Sequence, residues 1–273
     1  MPRNVPLSLN RIAKPQLPLA EFLELTASLG MANAEVRNDL PGVGVLDGLS
    51  PAELQGILAR TGVRIATINA LYPFESARHL QANLDQLRAL VAEAGKVGCR
   101  AIVMCPFNEK GDARTPGQRA EELVAALDAY GPIYAQAGMI GLIEPLGFER
   151  SALRTKRAAL EGIDRCKHPG SFALLHDTFH HYLSGETELF PDRTGLVHVS
   201  GVVGKPPSAI QDDDDRILVD ERDAMDSRGQ VTRLLEGGCQ AIVSFEPFGP
   251  AIRAMPVPAL KEAILRSVKY LLG

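Results

Sequence analysis

Residues 139–147 read MIGLIEPLG, and residues 241–249 read AIVSFEPFG. Each stretch is an apolar, β-rich run that delivers one glutamate and then stops at a proline. The residue before a proline is pushed to extended backbone geometry, and proline cannot continue a central strand of a sheet. Glu144 and Glu246 are therefore predicted to lie at the carboxyl ends of two buried strands.

Two further apolar runs carry metal-ligand side chains at a comparable depth. Residues 174–180 read LLHDTFH, and residues 196–200 read LVHVS. Side chains alternate between the two faces of a strand, so His176 is expected to point away from Asp177 and to serve packing or support. Four separate strand ends thus offer two glutamates, Asp177 and His198.

Apolar strand candidates recur along the whole sequence. They are Val5–Ile12, Ala34–Asn38, Arg64–Leu71, Ala101–Phe107, Met139–Leu146, Phe172–Thr178, Gly195–Ser200 and Ala241–Phe248. Their ends are spaced by roughly 34 residues, which is the size of a strand plus a returning helix. The segments with helical periodicity between them include residues 18–30, 80–97 and 118–137, and residues 256–272 read as a terminal helix.

This alternation predicts an α/β fold. Strands that are apolar on both faces and alternate with helices are typical of a parallel sheet. Eight such units without a dominant linker favour one domain over residues 1–273, a closed (β/α)8 TIM barrel, rather than an open doubly wound sheet. The sequence has no Gly-x-Gly-x-x-Gly turn and no Gly-Lys-Ser/Thr loop, so the nucleotide-binding alternatives lack their signature.

The composition of the 273 residues narrows the partners. Apolar residues make up 45% of the chain, which is ample for a sizeable core. The net charge is −4, and this negative charge argues against a nucleic-acid backbone as main partner. No apolar run approaches a membrane span, and the N-terminal segment lacks the apolar region of a secretory signal. The four cysteines are far apart, without a Cys-x-x-Cys pair, so we expect a reduced, cytoplasmic compartment.

The four residues at the strand ends form the candidate site. Side chains at the carboxyl ends of barrel strands converge on the barrel axis. Three acids and one imidazole there suit one divalent metal ion, and the ligand types do not choose among Mn²⁺, Co²⁺, Mg²⁺ and Zn²⁺. The alternative is that each residue caps a nearby helix or pairs with an arginine, although clustered carboxylates are costly without a cation.

Other polar residues are expected around this site. His180 lies just past its strand, where it either donates to a substrate oxygen or caps the next helix, and His181 beside it is expected to be exposed. Arg216 either reaches a substrate hydroxyl or pairs with neighbouring aspartates. The candidate lining at the ends of the first three strands is Asn10, Glu35, Arg37 and Asn69.

Residues 201–228 interrupt the regular spacing. They are rich in proline, glycine and aspartate and contain four consecutive aspartates, Asp212–Asp215. In a barrel this segment is the loop after strand seven, on the active face. A loop of this length is more often a lid or a binding loop than a simple connection. The aspartates are expected to form a solvated surface rather than a metal site.

The run Glu144…Asp177-x-x-His180…His198…Glu246 resembles the sugar isomerase and epimerase branch of the xylose-isomerase-like TIM barrels. The segments around residues 69–71, 177–180 and 243–248 look most like inosose (2-keto-myo-inositol) isomerase. The resemblance implies that one divalent metal is held by Glu144, Asp177, His198 and Glu246. It also implies that His180 contacts the substrate.

The resemblance also implies a reaction. A hydroxyketone would bind the metal through its carbonyl and adjacent hydroxyl oxygens, and the metal would stabilise an enediolate. The two glutamates would act as acid/base groups, so that the carbonyl moves between adjacent carbons. The implied partner is a small polyol ketone or sugar, with no nucleic acid and no membrane; a homo-oligomer is left open.

Three alternatives remain at this point. A ketose 3-epimerase or a hydroxypyruvate isomerase would use the same scaffold and the same metal chemistry. An apurinic-site endonuclease of the same superfamily needs extra histidines, whereas strands three and four end in Asn69 and Cys105. A metal-free binding barrel would require the four site residues to be a coincidence.

Overall fold

Eight parallel strands close into a barrel in chain order in the computed structural model, which describes residues 5–42 and 44–273. The strands are β1 (Leu7–Asn10), β2 (Asn33–Arg37), β3 (Arg64–Leu71), β4 (Ala101–Met104), β5 (Ile140–Ile143), β6 (Phe172–Asp177), β7 (Thr194–Val199) and β8 (Ile242–Phe245). Each strand pairs with the next, and β8 pairs with β1. The predicted single-domain (β/α)8 barrel is confirmed.

Helices follow the strands and cover the outside of the barrel. They are α1 (Leu19–Ser28), α2 (Pro51–Thr61), α3 (Leu80–Lys96), α4 (Pro116–Ala137), α5 (Lys156–Arg165), α6 (Thr178–Ser184), α7 (Ser227–Glu236), α8 (Pro250–Ala254) and α9 (Val257–Leu272). The start of α2 is a capping box, in which Ser50 and Glu53 satisfy each other's backbone N–H. Among the described residues, no helix is both long and apolar enough to cross a membrane.

Several strands are shorter than the sequence predicts. β1 ends at Asn10, whose side-chain Oδ1 accepts a hydrogen bond from Ile12 N at 3.0 Å and starts a 3₁₀ turn. β5 and β8 end one residue before their glutamates, since a proline follows each glutamate and cannot extend the ladder. Glu144 and Glu246 still donate backbone hydrogen bonds of 3.0 Å to the neighbouring strands, so their positions remain fixed by the sheet.

An apolar layer fills the barrel interior beneath the candidate site. It is formed by Val103, Leu142, Leu175 and Leu196, which are at most 3% exposed. The last three each stand two residues before one of the candidate ligands and therefore share its face of the strand. This layer forms the floor of the site and excludes water from below.

The loop after β7 folds back over the barrel mouth. It forms isolated antiparallel bridges between Gly201 and Ile217 and between Val203 and Asp223. The Asp212–Asp215 run lies at its outer edge, where the side chains are exposed or half-buried, as expected for a solvated surface. The next residue, Arg216, turns inward, so the loop brings one buried guanidinium group to the candidate site.

Candidate metal centre

Four side chains from four strand ends meet inside the barrel mouth. They are Glu144, Asp177, His198 and Glu246, and one ligand atom of each lies within 4.8 Å of the others. His198 Nδ1 lies 3.1 Å from Glu144 Oε1, 3.0 Å from Glu246 Oε2 and 3.8 Å from Asp177 Oδ2. The structure thus brings together the four residues that the sequence proposes as ligands.

The spacing of these atoms fits a single divalent ion. Four ligands about 2.1 Å from one tetrahedral ion stand about 3.4 Å apart. The three distances from His198 Nδ1, between 3.0 and 3.8 Å, lie around that value. Carboxylate oxygens with one imidazole suit several divalent metals. The four residues are at most 4% exposed, so this charged group could hold a metal in a site shielded from water.

Charges in this cluster strongly perturb one another. Burial alone would lower the pKa of His198, but the carboxylates of Glu246, Glu35 and Glu144 raise it well above 6.5. Burial raises the pKa of Glu246, yet His198 and Arg216 outweigh it and lower that pKa to about 2. The protein by itself therefore keeps a proton on the histidine, and a metal at Nδ1 would have to displace one.

Asp177 serves the cluster and a helix at once. Its Oδ1 accepts a 2.7 Å hydrogen bond from Phe179 N and caps α6. Its Oδ2 faces His198 and accepts a 2.6 Å hydrogen bond from Arg216. Burial would raise the pKa of Asp177, but the Arg216 charge lowers it. The helix-capping interpretation therefore holds for this residue alongside its place in the cluster.

Arg216 covers the cluster from the loop after β7. Its Nη2 donates to Asp177 Oδ2 at 2.6 Å and to Glu246 Oε2 at 2.8 Å, and its Nη1 donates to Asp213 at 3.0 Å. The guanidinium carbon lies 4.9 Å from the centre of the Phe179 ring. Pairing with a neighbouring aspartate thus occurs, and the same side chain also reaches the candidate ligands.

Asn10 and Arg37 surround the other side of Glu246. Asn10 Nδ2 and Arg37 Nη1 each donate to Glu246 Oε1 at 3.0 Å. The ring of Phe248 lies 5.3 Å from the Arg37 guanidinium and 4.7 Å from that of Arg216. These contacts place both predicted lining residues at the site and fix one carboxylate from several directions.

His180 lies in the first turn of α6, buried beside the cluster. Its ring packs edge-on against Phe148 at 5.4 Å and Phe179 at 5.2 Å. Its Nδ1 has no hydrogen-bond partner among the described residues. An unpaired buried polar atom is costly, and a hydroxyl of a bound molecule could satisfy it.

Within the described part of the chain, Asn69 reaches the cluster through Glu35. Asn69 Nδ2 donates to Glu35 Oε2 at 2.9 Å, and both carboxylate oxygens of Glu35 lie 3.0 and 3.2 Å from His198 Nε2. Burial raises the pKa of Glu35, but the His198 charge lowers it to about 2. The sequence identifies Glu35 as lining but does not reveal this partner, although polar residues facing the barrel interior on β1, β2 and β3 were a signal.

Cys105 contacts the remaining glutamate. Its Sγ donates to Glu144 Oε2 at 3.3 Å. Burial, together with the Glu144 charge, raises the thiol pKa well above 9.0, so the sulfur stays protonated. The sequence does not reveal this contact, because it places Cys105 at the end of β4 without showing that its side chain meets the next strand's glutamate.

The two histidines next to the site differ from each other. His176 turns away from the barrel as predicted, with Nε2 3.0 Å from Gln230 Oε1. His181 was expected to be exposed, and this is wrong: it is half-buried, with Nδ1 2.7 Å from Lys156 Nζ. The reason is a buried ion pair of 2.8 Å between Lys156 and Glu186, which draws α5 and the end of α6 together over the ring.

Comparison with known proteins gives a consistent picture of the fold. Residues 23–271 match the family model described as the xylose isomerase-like TIM barrel. A xylose isomerase domain-containing protein from Salmonella typhimurium LT2 is 34% identical and superposes with a TM-score of 0.88, over 98% of each chain. No curated protein matches the chain in sequence.

Two more distant structures share the architecture. The IolI protein, solved with a bound zinc atom, is 18% identical with a TM-score of 0.87 over 97% of each chain. D-psicose 3-epimerase from Clostridium cellulolyticum H10, solved with D-tagatose, is 13% identical with a TM-score of 0.73 over 97% of each chain. At these identities the likeness is one of fold.

Proposed function

The chain belongs to the xylose isomerase-like TIM barrel family, and we propose that it is a divalent-metal-dependent isomerase of hydroxyketones. Its reaction would move a carbonyl group between adjacent carbons of an inosose-like or ketose-like substrate. We place 2-keto-myo-inositol first among the substrates, because the strand ends at residues 69–71, 177–180 and 243–248 resemble those of inosose isomerase.

One observation carries this proposal: three buried carboxylates face one imidazole nitrogen within 4.8 Å of one another. Such a group is costly to bury unless a cation compensates it. When bound, a divalent ion would supply Lewis-acid stabilisation for negative charge that develops on adjacent substrate oxygens. Glu144, Asp177, His198 and Glu246 would hold it, and zinc in the IolI structure supports a metal in this family.

We assign the carbon-bound proton transfer to Glu144. Among the described residues it forms no ion pair with an arginine, whereas Glu246 is paired with Arg37 and Arg216. Glu144 would take the hydrogen from the carbinol carbon and return it to the former carbonyl carbon. Glu246 would move the hydroxyl proton from one substrate oxygen to the other, which completes the isomerisation without any redox change.

The residues around the cluster support a polyol substrate. The guanidinium groups of Arg37 and Arg216 offer hydrogen-bond donors to hydroxyl and carbonyl oxygens, and the unpaired Nδ1 of His180 can donate to or accept from a hydroxyl, according to its tautomer. Asn10 adds an amide, while Phe248 gives an apolar wall. This combination of donors and one aromatic face suits a neutral ring or chain with several hydroxyl groups.

The loop of residues 201–228 acts as a lid in this proposal. Arg216, 1% exposed, sits on the loop and covers cluster residues that are themselves at most 4% exposed. In this proposal the segment moves outward to admit the substrate. Closure would then exclude water from the reacting carbons, as lids of barrel enzymes do.

The test is an assay of the chelator-stripped protein in D₂O, before and after Mn²⁺ or Zn²⁺ is added. The panel contains inososes, ketohexoses and hydroxypyruvate, and NMR follows both deuterium incorporation and product identity. We expect 2-keto-myo-inositol to be isomerised only after metal addition. Inversion at carbon 3 of a ketohexose would instead establish an epimerase.

A matched control variant excludes contamination in this assay. Glu144→Gln protein, purified in parallel, should be inactive, which excludes a contaminating isomerase. If the metal-loaded protein neither converted any member of the panel nor exchanged its carbon-bound hydrogen, the proposed function would be rejected.

A further inference from the structure

The imidazole of His198 makes hydrogen-bond contacts on both sides, and only one side faces the ligand cluster. Nδ1 lies 3.1 Å from Glu144 Oε1 and 3.0 Å from Glu246 Oε2. Nε2 lies on the far side of the ring, 3.0 and 3.2 Å from the two oxygens of Glu35. Because a neutral imidazole carries one N–H, Nδ1 can bind a metal only when the proton stays on Nε2.

Glu35 is built into the barrel as a hydrogen-bond acceptor. It is fully buried on β2, and its cross-strand partners are Asn10 on β1 and Thr67 on β3. Its carboxylate accepts from Thr67 Oγ1 at 2.5 Å, Asn69 Nδ2 at 2.9 Å and Asn10 Nδ2 at 3.3 Å. Together with His198 Nε2, four donors converge on this group.

These donors require a carboxylate rather than an amide. An ionised carboxylate only accepts hydrogen bonds, so its two oxygens can serve all four donors. The NH₂ group of a glutamine would face one or more donors and lose those contacts. The ring of His198 separates Glu35 from the cluster, so Glu35 cannot bind the same ion.

We propose that Glu35 is the positioning residue of the metal centre: it holds the His198 proton on Nε2 and thereby presents the Nδ1 lone pair to the ion. The inference rests on the proposed function in that a metal binds the cluster. Carboxylates that orient a ligating histidine typically change metal affinity by 10- to 100-fold when they are lost. A buried glutamate on β2 would thus set the metal affinity of a site formed by residues from other strands.

The first experiment measures metal affinity rather than activity. Zn²⁺ and Mn²⁺ are titrated calorimetrically into chelator-stripped wild-type protein and the Glu35→Gln variant. We expect the dissociation constant of Glu35→Gln to rise by about 10- to 100-fold. Thr67→Val is the matched control, since it removes one donor to the same carboxylate but keeps the contact to His198; its affinity should stay within about threefold of wild type.

The second experiment needs no variant of Glu35, so it still tests the proposal if the Glu35→Gln protein does not fold. In wild-type protein labelled with ¹⁵N-histidine, the ring nitrogens of His198 are assigned by their loss in His198→Gln. After Zn²⁺ is added, Nδ1 should show the shift of a metal-bound nitrogen, and Nε2 should remain protonated. Metal-bound Nε2 would overturn the proposal.

The outcomes separate this inference from the proposed function. If wild-type protein binds neither ion, both fail together. If it binds and Glu35→Gln stays within threefold of its affinity, only the role of Glu35 is rejected. If the affinity falls, Thr67→Val stays near wild type and Nε2 stays protonated in the wild-type complex, the role of Glu35 is established even if the substrate assignment proves wrong.

Discussion

Glu144 and Glu246 end two strands with the same sequence pattern, yet their surroundings differ. Both contact Nδ1 of His198, at 3.1 and 3.0 Å. Glu246 accepts hydrogen bonds from the guanidinium groups of Arg37 and Arg216, whereas Glu144 accepts one from the neutral thiol of Cys105. Both carboxylates face the His198 ring, but among the described residues only Glu246 also pairs with arginines.

The position of each glutamate and the charges around it are therefore set by separate parts of the chain. The proline after each glutamate fixes where the carboxylate stands. Its partners come from elsewhere: Arg37 ends β2, and Arg216 comes from the loop after β7. Two copies of one motif can therefore take different chemical roles, and substitutions at each glutamate and at its partners test this difference.

The largest effect is expected on turnover. Glu144→Gln and Glu246→Gln should each lower kcat by about 10³-fold, since each removes a proposed acid/base group and a proposed metal ligand. Steady-state assays at saturating metal, with circular dichroism to confirm folding, measure this. Activity within tenfold of wild type in both variants would reject the assignment of catalysis to this pair.

The stability of the metal-free protein should separate the two glutamates. Glu246→Gln leaves the buried Arg37 and Arg216 without their shared anion, and breaking such a pair costs about 3–5 kcal/mol. Among the described residues, Glu144→Gln removes one charged contact, to His198, and one neutral contact, to Cys105, so about 1.5–3 kcal/mol is expected. Urea unfolding in the presence of EDTA gives both values, and equal losses would contradict the comparison.

Contacts to the two carboxylates should differ in the same direction. Arg37→Gln removes a charged hydrogen bond to Glu246, worth about 1.5–3 kcal/mol, so kcat/KM should fall by roughly 10- to 100-fold. Cys105→Ala removes a weak neutral donor from Glu144 and should cost roughly threefold. The two variants are compared at the same metal concentration, and a larger loss in Cys105→Ala would reverse the comparison.

The smallest effect is expected in acid. The pKa of Glu246 is lowered to about 2 in the folded protein from 4.5, so it contributes stability that is present above pH 4.5 and lost as the pH falls toward 2. In Glu246→Gln, metal-free stability should depend less steeply on pH across this window, by about 1 kcal/mol per pH unit. Urea unfolding at several pH values measures the slopes, with the exposed Glu262→Gln as control; identical slopes would contradict the prediction.

The barrel itself was predictable from the sequence. Apolar runs that recur with helices between them leave few other folds, and β3 matches its predicted bounds, Arg64–Leu71. β4 was predicted to reach Phe107 but ends at Met104, because apolar character continues past the last ladder residue while Pro106 offers no N–H to the ladder.

The contacts within the site were less accessible. Strand alternation gives the face and depth of Glu35, but not which residue on the opposite wall it meets, since its partner His198 is 163 residues away. The contact between Cys105 and Glu144 has the same origin. The half-burial of His181 depends on Lys156, whose placement follows from how α5 and α6 pack. The contacts of Glu35 and Cys105 form only when the strands close into a barrel, which local sequence does not describe.

The divided carboxylate of Asp177 has a mechanical consequence. One oxygen anchors the first backbone amides of α6, while the other belongs to the charged group at the barrel mouth. The side chain is short and both of its carboxylate oxygens are hydrogen-bonded, so a shift of the helix would also move the oxygen in the charged group. His180 lies in the first turn of this helix, so its position is coupled to the carboxylate that would bind the ion.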